Sequence, residues 1–297
     1  MNEQALFDQF AQTLQDNDRS PLTVKSYLED AGRFARWFEA TNGESFAPAA
    51  ITPTDIREYR NHLLNILRLS ANTVNRRLAG ISAYCRWAQA QNLIAADPSA
   101  NIKALRQIPS APHWLDRKQQ FALQRAVESR WLQAGPSDSR RALWRRRDTY
   151  LVSFLLHTGL RVAEVSALNL DDVKVGERSG TVTVRGKGKK VRLVPLNLEA
   201  RKAVQGWLAI RVAEATPALF ALFVSQLGHR LTIRSVQRIV WEMGRLAKID
   251  GLTPHVLRHT FAKRLGENGV GIDRIAMLMG HNSIETARIY VTPGLQD

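Results

Sequence analysis

The sequence predicts a mainly α-helical protein with one small antiparallel β-sheet, divided into two domains. Three observations carry that expectation. Apolar residues recur at helical spacing through residues 1–105; a proline-bearing stretch without periodicity, QIPSAPHW, follows; and beyond it GTVTVRGKGKKVRLVPL alternates apolar and polar residues in period two. The domains are accordingly drawn at 1–106 and 116–297, with 107–115 as a linker.

In the first domain, Ser20-Pro21 opens a helix, because proline fixes φ near the helical value and has no N–H to leave unpaired. Val24, Tyr27, Leu28, Phe34, Trp37 and Phe38 then fall at mostly helical spacings. TPTDIREYRNHLLNIL and SANTVNRRLAGISAYCRWAQAQN add further helical patterns, so this domain is expected to be all helical. In the second, a helical pattern starts near Asp116, RRRDTYLVSFLLHTGL reads as a buried helix ending at Gly159, and RVAEVSALNLDDV resumes helical spacing. The period-two segment brackets Gly-Lys-Gly-Lys, as in a β-hairpin with a basic turn. Helical patterns return from Leu198 to the C-terminus, punctuated by Pro217, the Gly-His-Arg turn at 228–230, Gly251 and Gly280. There is no internal repeat or low-complexity tract.

The 44% hydrophobic content over 297 residues is that of a folded protein long enough for two cores. Cys85 stands alone within the apolar run ISAYCRWA, which suits a buried side chain and a reducing cytosol. The N-terminus, MNEQALFDQFAQTL, lacks the basic-then-apolar pattern of a signal peptide, and no apolar run approaches the roughly 18 residues that span a bilayer. A soluble, cytoplasmic protein with no membrane partner is expected. Net charge is +15, and residues 1–110 carry 12 basic against 11 acidic side chains, so 14 of the excess charges fall in 111–297. A polyanion, nucleic acid above all, is the expected partner.

Individual residues are open to two readings each. Arg161, just after a glycine break at a helix start, can aim its fork at an anion, or can pair with Glu164 one turn on. Lys187, flanked by Lys189 and Lys190 in the hairpin tip, can donate a proton in a phosphate site, or belong to an ordinary solvated turn. His255 and Arg258 share a helix face behind Pro254 and can meet one oxyanion together, whereas His259 is expected to point elsewhere as a structural histidine. His-x-x-Arg supplies one good metal ligand and no carboxylate or cysteine cluster accompanies it, so no metal site is expected. His281 follows a glycine, and Tyr290 lies nine residues later. Tyr290 reads as a half-buried helix residue or as a nucleophile, since a tyrosyl phosphodiester stores bond energy and releases a phenolate.

Taken in order within a basic domain, Arg161, Lys187, His255-x-x-Arg258, His281 and Tyr290 resemble the constellation of the tyrosine recombinase (phage integrase) family, closest to its Xer type. The resemblance spans nearly the whole chain. It rests on HTGLRVAEVSALNLDDV, GKGKKVRLVPL, HVLRHTFAKRL and LMGHNSIETARIYV, and in the first domain on SPLTVKSYLEDAGRFARWF and NTVNRRLAGISAYCRWAQAQNLIAADPSANIK. It implies a helical core-binding (SAM-like) domain that clamps DNA, joined to an α+β catalytic domain. It further implies that Arg161, Arg258 and His255 hold the scissile phosphate, that His281 hydrogen-bonds it, that Lys187 protonates the leaving oxygen and that Tyr290 attacks phosphorus.

The implied function is site-specific recombination of two duplexes through a 3′-phosphotyrosyl intermediate, as in dimer or cointegrate resolution or mobile-element integration. The implied assembly is a homotetramer, or a heterotetramer with a second recombinase, on double-stranded DNA, with no cofactor. Thr73, Arg76, Arg77 and Lys189 are further candidate DNA contacts. Two departures from the Xer pattern stand out: only VTPGLQD follows Tyr290, and residues 127–147 look longer. A type IB topoisomerase, and a non-catalytic regulator using LTIRSVQRIVWEMGRL as a helix-turn-helix, are the alternatives.

Overall fold

The computed structural model describes residues 3–106, 112–133, 140–186, 191–211, 220–280 and 285–290, without the side chains of 140, 285 and 286. Its contacts separate two compact units, Met1–Ser110 and Ala111–Asp297.

The first unit holds α1 (Glu3–Asp16), α2 (Pro21–Asn42), α3 (Pro53–Asn61) and α4 (Ala71–Ala90). Ser20, Thr52 and Ser70 are the N-caps of the last three, their hydroxyls accepting the backbone N–H of Thr23, Asp55 and Thr73 at 3.2, 3.3 and 3.4 Å. The core is aromatic: Phe34 meets Tyr59 at 5.1 Å between ring centroids, and Phe10 meets Tyr84 edge-on at 5.4 Å. Gly80 lets α4 approach α2, since a Cβ there would lie 2.9 Å from Asp30 Cβ. Asp30 is buried in that contact, and its carboxylate accepts two N–H groups of Arg76 at 2.5 and 3.1 Å. Burial alone pushes the Asp30 carboxyl up, and Arg76 opposes the shift. Cys85 is buried too, its thiol pushed up to about 12 by desolvation, so it is no nucleophile at neutral pH.

In the second unit, α5 (Arg117–Leu132), α6 (Arg140–Thr158) and α7 (Val162–Ala167) precede β1 (Val173–Val175), β2 (Gly180–Arg185) and β3 (Val191–Pro195). Among the described residues there follow α8 (Leu198–Ile210), α9 (Ile233–Ala247), α10 (Pro254–Glu267), α11 (Ile272–Met279) and α12 (Glu285–Arg288). Helix α6 is central, packing against α5, α8, α9 and α10 through Leu151, Val152, Phe154 and Leu155, all buried. The antiparallel sheet runs β1-β2-β3 and pairs Val182 with Val194. Those two valines and Val184 cover the core on one face, each contributing about 1.5–3 kcal/mol by burial.

The helical spacing read through RVAEVSALNLDDV does not hold to its end. Helix α7 stops at Ala167, one 3-10 turn spans Leu170–Asp172, and β1 adds a third strand to the expected hairpin. Backbone pairing to a distant segment is the reason. Leu170 N–H donates to Phe220 O at 2.7 Å and Leu222 N–H to Leu168 O at 2.9 Å, so these groups are bonded outside any helix.

Candidate active site

The site forms where two helices end. Helix α6 runs into Gly159 and α11 into Gly280, both at φ 62, the left-handed conformation that stops a helix and leaves its last carbonyls open to side-chain donors. Helix α10 begins at Thr253, whose hydroxyl accepts the Val256 N–H at 3.3 Å, followed by Pro254. Its second turn carries Arg258, only 4% exposed. Nη1 of Arg258 donates to Gly159 O at 2.7 Å and Nη2 donates to Met279 O.

Two more guanidiniums meet the same end of α11. Arg161, the N-cap of α7, donates Nη2 to Gly280 O at 2.9 Å and Nη1 to Glu164 Oε1 at 3.1 Å. Arg192 on β3 donates Nε to Leu278 O at 2.9 Å and its two terminal nitrogens to both Glu164 oxygens at 2.9 and 2.8 Å. The Glu164 carboxylate also accepts the Arg161 backbone N–H at 2.7 Å. Of the two readings of Arg161, the pairing with Glu164 is the one present, and the same guanidinium also reaches the Gly280 carbonyl at the negative pole of α11.

Among the described residues, Glu164 is the one carboxylate hydrogen-bonded within this cluster, to Arg161 and Arg192 but not to Arg258, so three guanidiniums face one carboxylate and two positive charges are in excess. Burial, and then the charge of Arg161, push Arg258 down to about 10, which leaves it protonated at neutral pH. Burial acts to raise Glu164, yet the hydrogen bonds from Arg192 and from the Arg161 backbone prevail and hold it below the usual carboxylate range. A concentrated, fixed positive charge of this kind stabilises an oxyanion without reorganising.

Tyr290 follows α12 and is 2% exposed, seated among Ala262, Ile275, Ala276, Met279 and Ala287. Its hydroxyl is 2.6 Å from His259 Nδ1, with ring centroids 5.7 Å apart. Burial pushes Tyr290 up, opposed by the charge of Arg258. His259 is pushed down by burial, then by His255 and Arg258, which keeps its ring neutral at pH 7. The expectation that His259 points away from the site is thus corrected, because the contact is made across 31 residues of chain that helix spacing cannot reveal.

Arg161, Arg258 and Tyr290 come together, with His255 exposed on the first turn of α10 near His259. Lys187, Lys189 and His281 lie outside the described residues. In the other unit, Thr73 belongs to the cap of α4, Arg76 is engaged by Asp30 and Arg77 hydrogen-bonds Tyr59. Arg192 went unnoticed in the sequence because a single arginine in a period-two strand carries no local sign of a partner. Among the described residues no group of three His, Cys, Asp or Glu could hold a metal ion, and no helix is long and apolar enough to cross a membrane.

Residues 136–295 match the Phage integrase family, and residues 6–94 match the Phage integrase N-terminal SAM-like domain. Tyrosine recombinase XerD of Bifidobacterium longum (strain NCC 2705) is 35% identical over 276 residues, covering 90% of this chain and 85% of that protein. Tyrosine recombinase XerC of Pseudomonas fluorescens is 31% identical over 274 residues, covering 91% and 85%. In fold, the chain is similar to XerH site-specific recombinase in a post-cleavage complex with its palindromic difH substrate. There the TM-score is 0.73 at 22% identity, over 94% of this chain and 80% of that one. It is similar also to the Tn1549 transposon integrase in complex with circular intermediate DNA, at a TM-score of 0.68 and 20% identity over 98% and 96%.

Proposed function

The chain belongs to the phage integrase family of tyrosine recombinases, and we propose that Tyr290 is the nucleophile with which it breaks DNA. It is an Xer-type, site-specific recombinase that cuts and rejoins DNA strands. The observation that carries the assignment of roles is the arginine cluster at the end of α11, whose surplus charge lies beside a buried phenol. Arg258 and Arg161 hold the nonbridging oxygens of the scissile phosphate, assisted by His255 and by His281. Tyr290 attacks in line, giving a 3′-phosphotyrosyl link, and Lys187 protonates the departing 5′-oxygen. One phosphodiester replaces another, so rejoining is the same reaction reversed and needs no external energy.

Glu164 and Arg192 support this arrangement rather than touching DNA. A carboxylate that takes four N–H groups from two arginines fixes both guanidiniums against the α11 carbonyls. The substrate is double-stranded DNA, engaged by a tetramer of this chain or of this chain with a second recombinase, in the cytoplasm. Thr73, Arg76, Arg77 and Lys189 contact its backbone. Dimer resolution, cointegrate resolution and integration use this same chemistry.

Incubation of the full chain with nicked suicide duplexes, followed by a denaturing gel, tests the reading. Wild type is expected to trap a covalent protein–DNA species, and Tyr290→Phe to bind the same duplexes and trap none. Salt-sensitive binding without any adduct from wild type would overturn it.

A further inference from the structure

We propose that His259 receives the proton of the Tyr290 hydroxyl as that oxygen attacks phosphorus, and returns it when the strand is rejoined. This rests on the reading of Tyr290 as the nucleophile. A phenol is a weak nucleophile while it keeps its proton, so something must take that proton in the transition state. Arg161 and Arg258 cannot, because a guanidinium has five donors and no acceptor. The imidazole of His259 can. Its Nδ1 stands 2.6 Å from Tyr290 Oη, within the range of direct proton transfer. A neutral ring accepting at Nδ1 carries its own proton on Nε2, and the hydroxyl is then the donor of this hydrogen bond.

The surroundings favour that direction. Burial first, then His255 and Arg258 on the same helix, disfavour the charged form of His259 before the reaction, so the acceptor lone pair is available. Among the described residues, Arg161, Glu164 and Arg192 are the further charged groups that act on Arg258. Once the phosphate dianion-like transition state occupies the arginine cluster, an imidazolium beside it is stabilised by the same negative charge that its formation creates.

The step balances. The Oη–P bond forms while the P–O5′ bond breaks, and the bonding pair leaves with the 5′-oxygen. That oxygen takes a proton from Lys187, as read above, and the Tyr290 proton moves to His259. Rejoining reverses each transfer, restoring neutral His259 and protonated Lys187.

Single-turnover cleavage of a nicked suicide duplex by the full chain, with duplex affinity measured alongside, tests the proposal in two variants. In His259→Asn, the amide oxygen can stand where Nδ1 stands and hold the hydroxyl, but cannot take its proton; His259→Phe does neither. Both are expected to bind duplex as wild type does and to cleave about 10²-fold more slowly or worse. A second substrate carries sulfur in place of the bridging 5′-oxygen, so its leaving group needs no proton. It is expected to rescue Lys187→Ala and leave both His259 variants slow.

Three results would overturn the proposal: cleavage by His259→Asn within about threefold of wild type, well short of a general-base effect; faster cleavage by both variants, which would make the contact a resting clasp; or rescue of the His259 variants by sulfur, which would place the histidine at the leaving oxygen. Absence of any Tyr290 adduct from wild type would instead remove the underlying assignment, a failure visible before the variants are compared.

Discussion

Arg258 is a buried cation whose hydrogen bonds among the described residues go to main-chain carbonyls, Gly159 O and Met279 O, so the fold itself positions it. Arg258→Lys keeps the charge but cannot reach two carbonyls and an oxyanion at once. Its cleavage rate should fall about 10²- to 10³-fold, the usual cost of one preorganised oxyanion donor, with duplex affinity little altered. Glu164 behaves differently, because its partners are Arg192 and Arg161. A carboxyl held below its unfolded value of about 4.3 contributes stability that is fully present above that pH and is lost as pH falls through the folded value. Glu164→Gln should therefore cost about 1–3 kcal/mol near neutral pH, read from urea midpoints, and the difference from wild type should shrink in acid.

At the scale of elements, the two left-handed glycines do more than end helices. A Cβ on Gly159 would come 2.3 Å from the Phe261 ring, at a φ that costs an L-residue about 1–2 kcal/mol. Gly159→Ala should lower the melting temperature and slow cleavage together, since the carbonyl of Gly159 holds Arg258. Gly43, also at positive φ but with nothing within 4 Å of an added Cβ, is the control: Gly43→Ala should show the backbone penalty alone. These elements also show where the sequence could be read and where it could not. The break at Gly159, the proline start of α10 and the order Arg161, His255, Arg258 and Tyr290 were legible, because each is a local pattern or a matched segment. Strand β1 was not: three residues, Val173–Val175, are too few to display a period, and the segment before them is held by hydrogen bonds of Leu168 and Leu170 with the distant Leu222 and Phe220. The His259–Tyr290 and Arg192–Glu164 contacts were hidden for the same reason, being made between elements distant in sequence.

For the whole molecule, charge is the governing quantity. With 14 of 15 excess positive charges in residues 111–297, binding by the full chain should release many condensed counterions. Duplex affinity should fall by about 10³-fold or more between about 50 and 200 mM salt, followed by fluorescence anisotropy on one duplex. A nearly flat salt response would contradict a phosphate-dominated interface.

The central claim, that Tyr290 forms the covalent bond to DNA, is tested most directly by mass mapping of the trapped adduct. Trypsin cleaves after Arg288, so the account predicts that the peptide Ile289–Asp297 carries the nucleotide through a 3′-phosphate on Tyr290. A nucleotide on any other residue, or strand cleavage that leaves this peptide unmodified, would contradict it.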